Sequence, residues 1–282
     1  MKLAEGMSRI TEENLQFARQ IGVTDIVAIS PPAEAPDGPY YDYERLVQLK
    51  TRIEAAGLRL AAIQNIPPSW YHDLIYGLPG RDAQLDAYCR TISNVGRAGI
   101  PILHYNWHAV RVWRTSLHTH DRGGALVTSY DHALMQNAPL AGPRTLGEDE
   151  LWENYATFLR RIIPVAESAG VSMALHPDDP PISPIAGAAC LFRDSASFQR
   201  ALDLVPSPAN GLLFCQGCFA GCMGRACMTP SVTLAARLRC FSCTFAMSLA
   251  RCRPSANRSS IAGISICSKP CVCGRRWALA AR

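Results

Sequence analysis

The chain has 282 residues, 28 Lys and Arg against 23 Asp and Glu for a formal charge of +5, and 48% hydrophobic residues. That length suits one large α/β domain or two ordinary ones, and the composition is globular rather than disordered. No segment approaches the roughly 20 uninterrupted apolar residues of a membrane span, and Met1-Lys2-Leu3-Ala4-Glu5 opens no secretory leader, because no long apolar run follows the charge.

One phrase recurs along the first 224 residues: an amphipathic helix, a small residue or Ile, a Gly, then an apolar run rich in β-branched residues. Lys2–Gly6 reads as a first strand. A helix near 12–21 ends at Gln20-Ile21-Gly22 before Val23–Ile29, and one near 43–56 ends at Ala55-Ala56-Gly57 before Leu58–Ile63. A helix near 82–98 ends at Arg97-Ala98-Gly99 before Ile100–Tyr105. One near 149–169 ends at Ser168-Ala169-Gly170 before Val171–His176. A last helix near 195–204 precedes the strand Gly211–Cys215. Gly closes a helix where φ must turn positive, and the apolar run behind it fits a buried parallel strand. Strict alternation of strand and helix implies a parallel sheet. No Gly-rich phosphate loop follows the first strand, which argues against a dinucleotide-binding fold. The expected fold is a (β/α)8 TIM barrel of which about six βα units are legible.

Barrel chemistry sits where strands end. Those ends carry Asn65, Tyr105-Asn106, His176 and Cys215. His176 and Cys215 on adjacent strands would make a divalent-metal pair, since imidazole and thiolate suit iron, manganese or zinc. On spacing alone, a single His and a single buried Cys are more often plain core residues. His176 also opens His176-Pro177-Asp178-Asp179-Pro180-Pro181, where prolines stiffen a turn expected to present two carboxylates to the cleft. The connection from Asn106 to about Gly147 is longer than a normal βα loop and reads as a lid. It carries Trp107, His108, Arg111, Trp113, Arg114, His118, His120 and Arg122. Aromatic faces and Arg forks suit an anionic polyol such as a sugar acid. Taken singly, each of these except Arg114 is equally well explained as part of a solvated loop. Asn106, Arg114, Asp178 and Asp179 are the candidate substrate-binding residues.

The chemistry of the chain changes near Gly224. From Arg225 to Arg282 there are nine Arg, one Lys and seven of the twelve Cys, with no Asp, Glu or His. Soluble surfaces normally intersperse both signs of charge. The five cysteines before the break fit a reducing cytosol, so a cytoplasmic location is expected. The basic tail has no aromatic interleaving and no recognisable module, which argues against a nucleic-acid partner. A homo-oligomer is left open. Cys215-x2-Cys218 and Cys240-x2-Cys243 are spaced like two zinc-ribbon knuckles, but Cys215 belongs to a strand and the remaining tail cysteines follow no ligand pattern.

Several motifs together carry a resemblance over about residues 1–224. They are Ala174-Leu175-His176-Pro177-Asp178-Asp179-Pro180-Pro181, Ala209-Asn210-Gly211 with Phe214-Cys215-Gln216-Gly217, Tyr105-Asn106-Trp107 with Trp113-Arg114-Thr115, and Ile162-Ile163-Pro164-Val165-Ala166-Glu167. The chain resembles the mannonate dehydratases, metal-dependent hydro-lyases of hexuronate (glucuronate) breakdown on a xylose-isomerase-like barrel. The resemblance implies conversion of D-mannonate to 2-dehydro-3-deoxy-D-gluconate with Fe2+ or Mn2+, and His176 and Cys215 as metal ligands. It also implies a His on a seventh strand and an Asp-His pair at an eighth. None of these exists in this sequence, so no catalytic residue is assigned. His108 stands where the family has an apolar residue, and Cys218 where Thr is common. The enzyme alternative is another xylose-isomerase-like sugar or sugar-acid isomerase or epimerase; the non-enzyme alternative is a non-catalytic remnant.

The tail also matches the resemblance out of frame. Regrouping bases, so that each codon takes the last base of one residue and the first two of the next, lets Ala226–Ala236 spell V-Y-D-A-I-R-Y-L-G-G. Leu238–Ala250 can spell A-V-F-F-V-H-F-R-D-V-A-G, and Ser255–Lys269 R-E-P-F-V-D-R-G-D-F-D-M-F-E. These read as an amphipathic helix, an apolar strand and an acidic loop. Residues 1–224 are therefore expected to form a truncated barrel domain and 225–282 a frameshifted tail with no fold of its own. That would leave two strand edges unpaired.

Overall fold

The computed structural model describes residues 3–110, 112–215 and 217–218, and the backbone of strands within 240–267. The expected alternation is present. β1 (Ala4–Met7), α1 (Glu12–Gln20) and β2 (Asp25–Ile29) come first, followed by a small hairpin of β3 (Glu34–Ala35) and β4 (Gly38–Tyr41). Then follow α2 (Tyr43–Ala55), β5 (Arg59–Gln64), α3 (His72–Tyr76), α4 (Arg81–Arg97) and β6 (Ile102–Tyr105). The long connection folds a second hairpin, β7 (Ser116–His120) with β8 (Leu126–Ser129). α5 (Glu148–Ala169), β9 (Ser172–Leu175), α6 (Ser195–Leu204) and β10 (Asn210–Cys215) complete the regular part.

Local chemistry sets these boundaries. Thr11, Asp42 and Asp194 each accept a backbone N–H from the first turn of the helix that follows, which satisfies a donor that would otherwise have no partner. Gly22, Gly57, Gly99 and Gly170 all have positive φ, between 67° and 85°, as the helix-to-strand phrase requires. α4 and α5 pack closely where Gly96 meets Ala169: a Cβ at Gly96 would lie 2.4 Å from the Ala169 carbonyl oxygen.

β1, β2, β5, β6, β9 and β10 pair in parallel, with helices on the outside. The core between the sheet and α4, α5 and α6 is aromatic. Trp107 stacks on Phe158 at 4.7 Å, Tyr88 meets Phe158 edge-on at 4.9 Å, and Tyr155 meets Phe192 at 5.0 Å. Such pairs add roughly 0.5–1.5 kcal/mol beyond the area they bury. No helix among the described residues is long and apolar enough to cross a membrane.

Four strands of the tail belong to the described backbone: β11 (Cys240–Ala246), β12 (Arg251–Arg253), β13 (Ala256–Arg258) and β14 (Gly263–Cys267). β11 pairs in parallel with β10, and β14 lies antiparallel between β11 and β1, so the ring closes in the order β1-β14-β11-β10-β9-β6-β5-β2. β12 and β13 form a separate two-stranded ribbon. Cys240-Phe241-Ser242-Cys243-Thr244-Phe245-Ala246 has strand-forming composition, and the unpaired N–H and C=O groups along β10 and β1 offer it a template. The antiparallel β14 departs from the all-parallel pattern of a (β/α)8 barrel.

Candidate metal centre

β9 and β10 lie side by side in parallel, with Ala174 opposite Gly211 and Leu175 opposite Leu212. Their C-terminal ends therefore share one rim. His176 follows β9, held by its backbone N–H donating to the Tyr105 carbonyl at 2.9 Å, and Cys215 is the last residue of β10. The structure brings these two predicted residues together, and a third joins them. The ligand atoms of His176, Cys215 and Cys218 all lie within 4.8 Å of one another.

The charge states follow from the contacts. His176 Nδ1 lies 2.6 Å from the Pro177 carbonyl oxygen. A carbonyl can only accept, so Nδ1 carries a proton, as for a His oriented by its outer contact, and the ring also hydrogen-bonds the Cys215 side chain. The Cys218 thiol donates to the Cys215 sulfur at 3.3 Å. That bond holds the Cys215 thiol well below the usual range; burial opposes it and His176 reinforces it. Burial pushes His176 down, but the Cys215 sulfur and then Asp179 outweigh it, so the net shift is upward. Imidazole beside a thiolate is a donor set that fits a divalent transition ion.

Three of the four residues expected to bind substrate are engaged within the protein. Asp178 and Asp179 are buried and paired within the protein rather than standing free in a cleft. Asp178 accepts the Phe192 N–H at 2.6 Å, and its Oδ1 lies 3.4 Å from His108 Nε2. Burial raises the Asp178 carboxyl and lowers the His108 imidazole, each against the pull of the other, so both are driven towards their neutral forms. His108 Nε2 donates to the Pro177 carbonyl at 3.0 Å. Arg114 is fully engaged: it donates to Asp179 at 2.7 Å, to Thr128 Oγ1 at 3.2 Å and to the Trp113 carbonyl at 2.9 Å. It ties the 116–129 hairpin to the Pro-rich turn instead of offering a free fork. Asn106 keeps a buried Oδ1 without a hydrogen-bond partner.

Among the other lid residues, Trp107 is a core anchor, 1% exposed, and so presents no face to a sugar. His118 and His120 are exposed, and Trp113 packs against the core. Arg111 and the side chain of Arg122 lie outside the described residues, as do the side chains of Cys240 and Cys243. The cysteine knuckle at 215–218 is joined by His176. Sequence reasoning missed His104. It pairs across with Ala174 on β9, so it lies on the face shared by His176 and Cys215, one layer deeper. It is fully buried with neither ring nitrogen bonded, and burial, then His176, lower it to about 3.

The chain is similar to known proteins over most of its length. Residues 8–229 match the model of the D-mannonate dehydratase (UxuA) family. The mannonate dehydratase of Thermotoga maritima is 33% identical over 236 residues, covering 72% of this chain and 64% of that protein. That of Streptococcus equi subsp. zooepidemicus is 34% identical over 212 residues, covering 66% and 57%. The chain thus spans less than two thirds of the length of these curated relatives. The crystal structure of mannonate dehydratase from Streptococcus suis serotype 2 superposes with a TM-score of 0.74 at 28% identity, over 92% of this chain and 75% of that one. D-psicose 3-epimerase from Clostridium cellulolyticum H10 shares the fold alone, at TM-score 0.57 and 13% identity over 84% of this chain and 70% of that one.

Proposed function

Because the chain belongs to the mannonate dehydratase family, we propose that its barrel is built to remove water from D-mannonate, giving 2-dehydro-3-deoxy-D-gluconate in hexuronate catabolism in the cytoplasm. The observation that carries this reading is the meeting of His176 and Cys215 on the shared rim of β9 and β10. These two side chains would hold the ion, Fe2+ or Mn2+. When bound, the ion supplies positive charge against the carboxylate of a sugar acid, where negative charge grows as the α-proton leaves. The chain's own residues shape the surroundings. Arg114 and Asp179 clamp the hairpin beside the Pro-rich turn, and His108 and Asp178 fill the space next to His176 as a buried pair 3.4 Å apart. Asn106 Oδ1, buried and without a partner, is positioned by sequence at the end of β6 to accept a substrate hydroxyl.

Dehydration also needs a group to take the α-proton and one to protonate the leaving hydroxyl. The sequence after Gly224 contains no Asp, Glu or His, so the tail supplies neither in the usual form. On this reading residues 225–282 are a frameshifted translation, which is supported by a family match that ends at residue 229. Turnover by this chain is then far below that of its frame-restored counterpart. The test is to express both and follow 2-keto-3-deoxygluconate formation from D-mannonate with Mn2+ or Fe2+. Activity on D-mannonate by the restored protein alone is expected. No activity in either sinks the substrate assignment, and equal turnover by both sinks the frameshift.

A further inference from the structure

We propose that Cys218 is a third protein ligand of the metal centre, so that His176, Cys215 and Cys218 form a donor set of one imidazole and two thiolates. Such a set takes a thiophilic divalent ion, zinc or ferrous iron, in preference to manganese. This rests on the reading of His176 and Cys215 as ligands and deepens it.

Three observations carry the assignment. First, all three ligand atoms lie within 4.8 Å of one another. Two thiolates held at about 2.3 Å by one tetrahedral ion stand about 3.8 Å apart. The two sulfurs here are 3.3 Å apart, so both can reach a common ion after opening by roughly half an ångström. Second, Cys218 is 3% exposed, and its sulfur stands beside Cys215 inside the cluster. Third, the two sulfurs come from a Cys-x2-Cys spacing, which lets one short turn deliver both to a single ion. Imidazole with two sulfurs is softer than the carboxylate-rich sets that suit manganese. The competing role for Cys218 is that of a positioning residue, donating to Cys215 without touching the ion. Losing an outer-shell partner of that kind costs roughly 10–100-fold in affinity.

The experiment uses the full 282-residue chain, purified metal-free under a phosphine reductant, with Zn2+, Co2+ and Mn2+ as probes. Zn2+ affinity is measured for the unaltered chain, Cys218→Ser, Cys215→Ser and His176→Ala, each first checked for its fold by circular dichroism. Cys218→Ser is expected to lose more than about 100-fold in Zn2+ affinity, beyond the outer-shell range. The Co2+ complex should lose about half its thiolate-to-cobalt charge-transfer intensity, as two sulfurs become one. The preference for Zn2+ over Mn2+ should narrow. A smaller affinity loss with the band unchanged overturns the ligand role of Cys218 while Cys215→Ser and His176→Ala still lose binding. If those two variants bind like the unaltered chain, the metal reading itself has failed. Alkylation of the unaltered chain with iodoacetamide, mapped by mass, needs no variant. Zn2+ should protect Cys215 and Cys218 alike, and Cys218 reacting at its metal-free rate while Cys215 is shielded overturns the proposal.

Discussion

Arg114 holds its guanidinium where only 9% of its side chain meets solvent, and Asp179, at 7%, is its partner. Removing one member of a buried pair leaves the other charge uncompensated, at about 3–5 kcal/mol. Asp179→Asn should therefore destabilise the chain by that amount in urea unfolding and speed amide exchange in the 116–129 hairpin. The double change Arg114→Met, Asp179→Leu should recover much of the stability, since it leaves no buried charge. A loss below about 1 kcal/mol in Asp179→Asn would mean the pair is solvated and not a clamp. His104 poses the opposite problem, a buried base with no partner. Its folded value of about 3 lies below the ordinary 6.5, so the unfolded chain binds the proton first. The stability attached to neutral His104 is complete above pH 6.5 and is lost as pH falls towards 3. Between pH 7 and pH 5 this amounts to about 2 kcal/mol. His104→Gln should flatten the dependence of unfolding free energy on pH across that window. An unchanged slope would mean His104 is not buried neutral.

The regular elements were legible because each carries its own stop signal. Gly22, Gly57, Gly99 and Gly170 mark four helix-to-strand joints, and all four take the positive φ that the phrase demands. One element of the long connection was not read. The β7–β8 hairpin is polar on most of its length, Ser116-Leu117-His118-Thr119-His120 against Leu126-Val127-Thr128-Ser129, so it lacks the apolar alternation of a half-buried strand. Its turn glycines Gly123 and Gly124, with φ of 72° and 79°, were the available signal. The site was half legible. His176 and Cys215 follow from strand ends, but which partner each lid charge would take depends on long-range packing. Arg114 and Asp179 are 65 positions apart, and nothing local pairs them. Packing of α4 on α5 gives a prediction at this scale. A methyl group at Gly96 would meet the Ala169 backbone at 2.4 Å, and backbone cannot swing aside. Gly96→Ala should cost about 1–3 kcal/mol, despite the better helix propensity of Ala. A neutral or stabilising effect in thermal unfolding would show that the two helices slide apart freely.

Closure of the barrel and completion of its active site are separate matters in the whole molecule. β11 and β14 cover the edges of β10 and β1, which would otherwise template association with other chains. Truncation after Gly224 should therefore shift the protein from a dispersed species to aggregates in light scattering, and an unchanged monodisperse peak would show that the tail strands are dispensable. Closure does not bring chemistry with it. Parallel strands place their C-terminal ends at the functional rim, and β11 reaches that rim with Phe245-Ala246. β14 runs the other way, so its beginning, Gly263 opposite Ala246, lies there and its end, Cys267 opposite Ser242, lies at the far side. None of these rim positions offers a proton-transfer group. A positioned acid or base contributes about 10²–10⁴-fold. The chain should thus bind Zn2+ or Co2+ through His176 and Cys215 yet turn over D-mannonate at least about 10²-fold more slowly than its frame-restored counterpart. Metal binding and turnover measured on the same two preparations separate the outcomes. Metal binding by both preparations with turnover by the restored protein is the expected pair, whereas no metal binding at all by this chain would mean that His176 and Cys215 do not hold an ion without the restored strands.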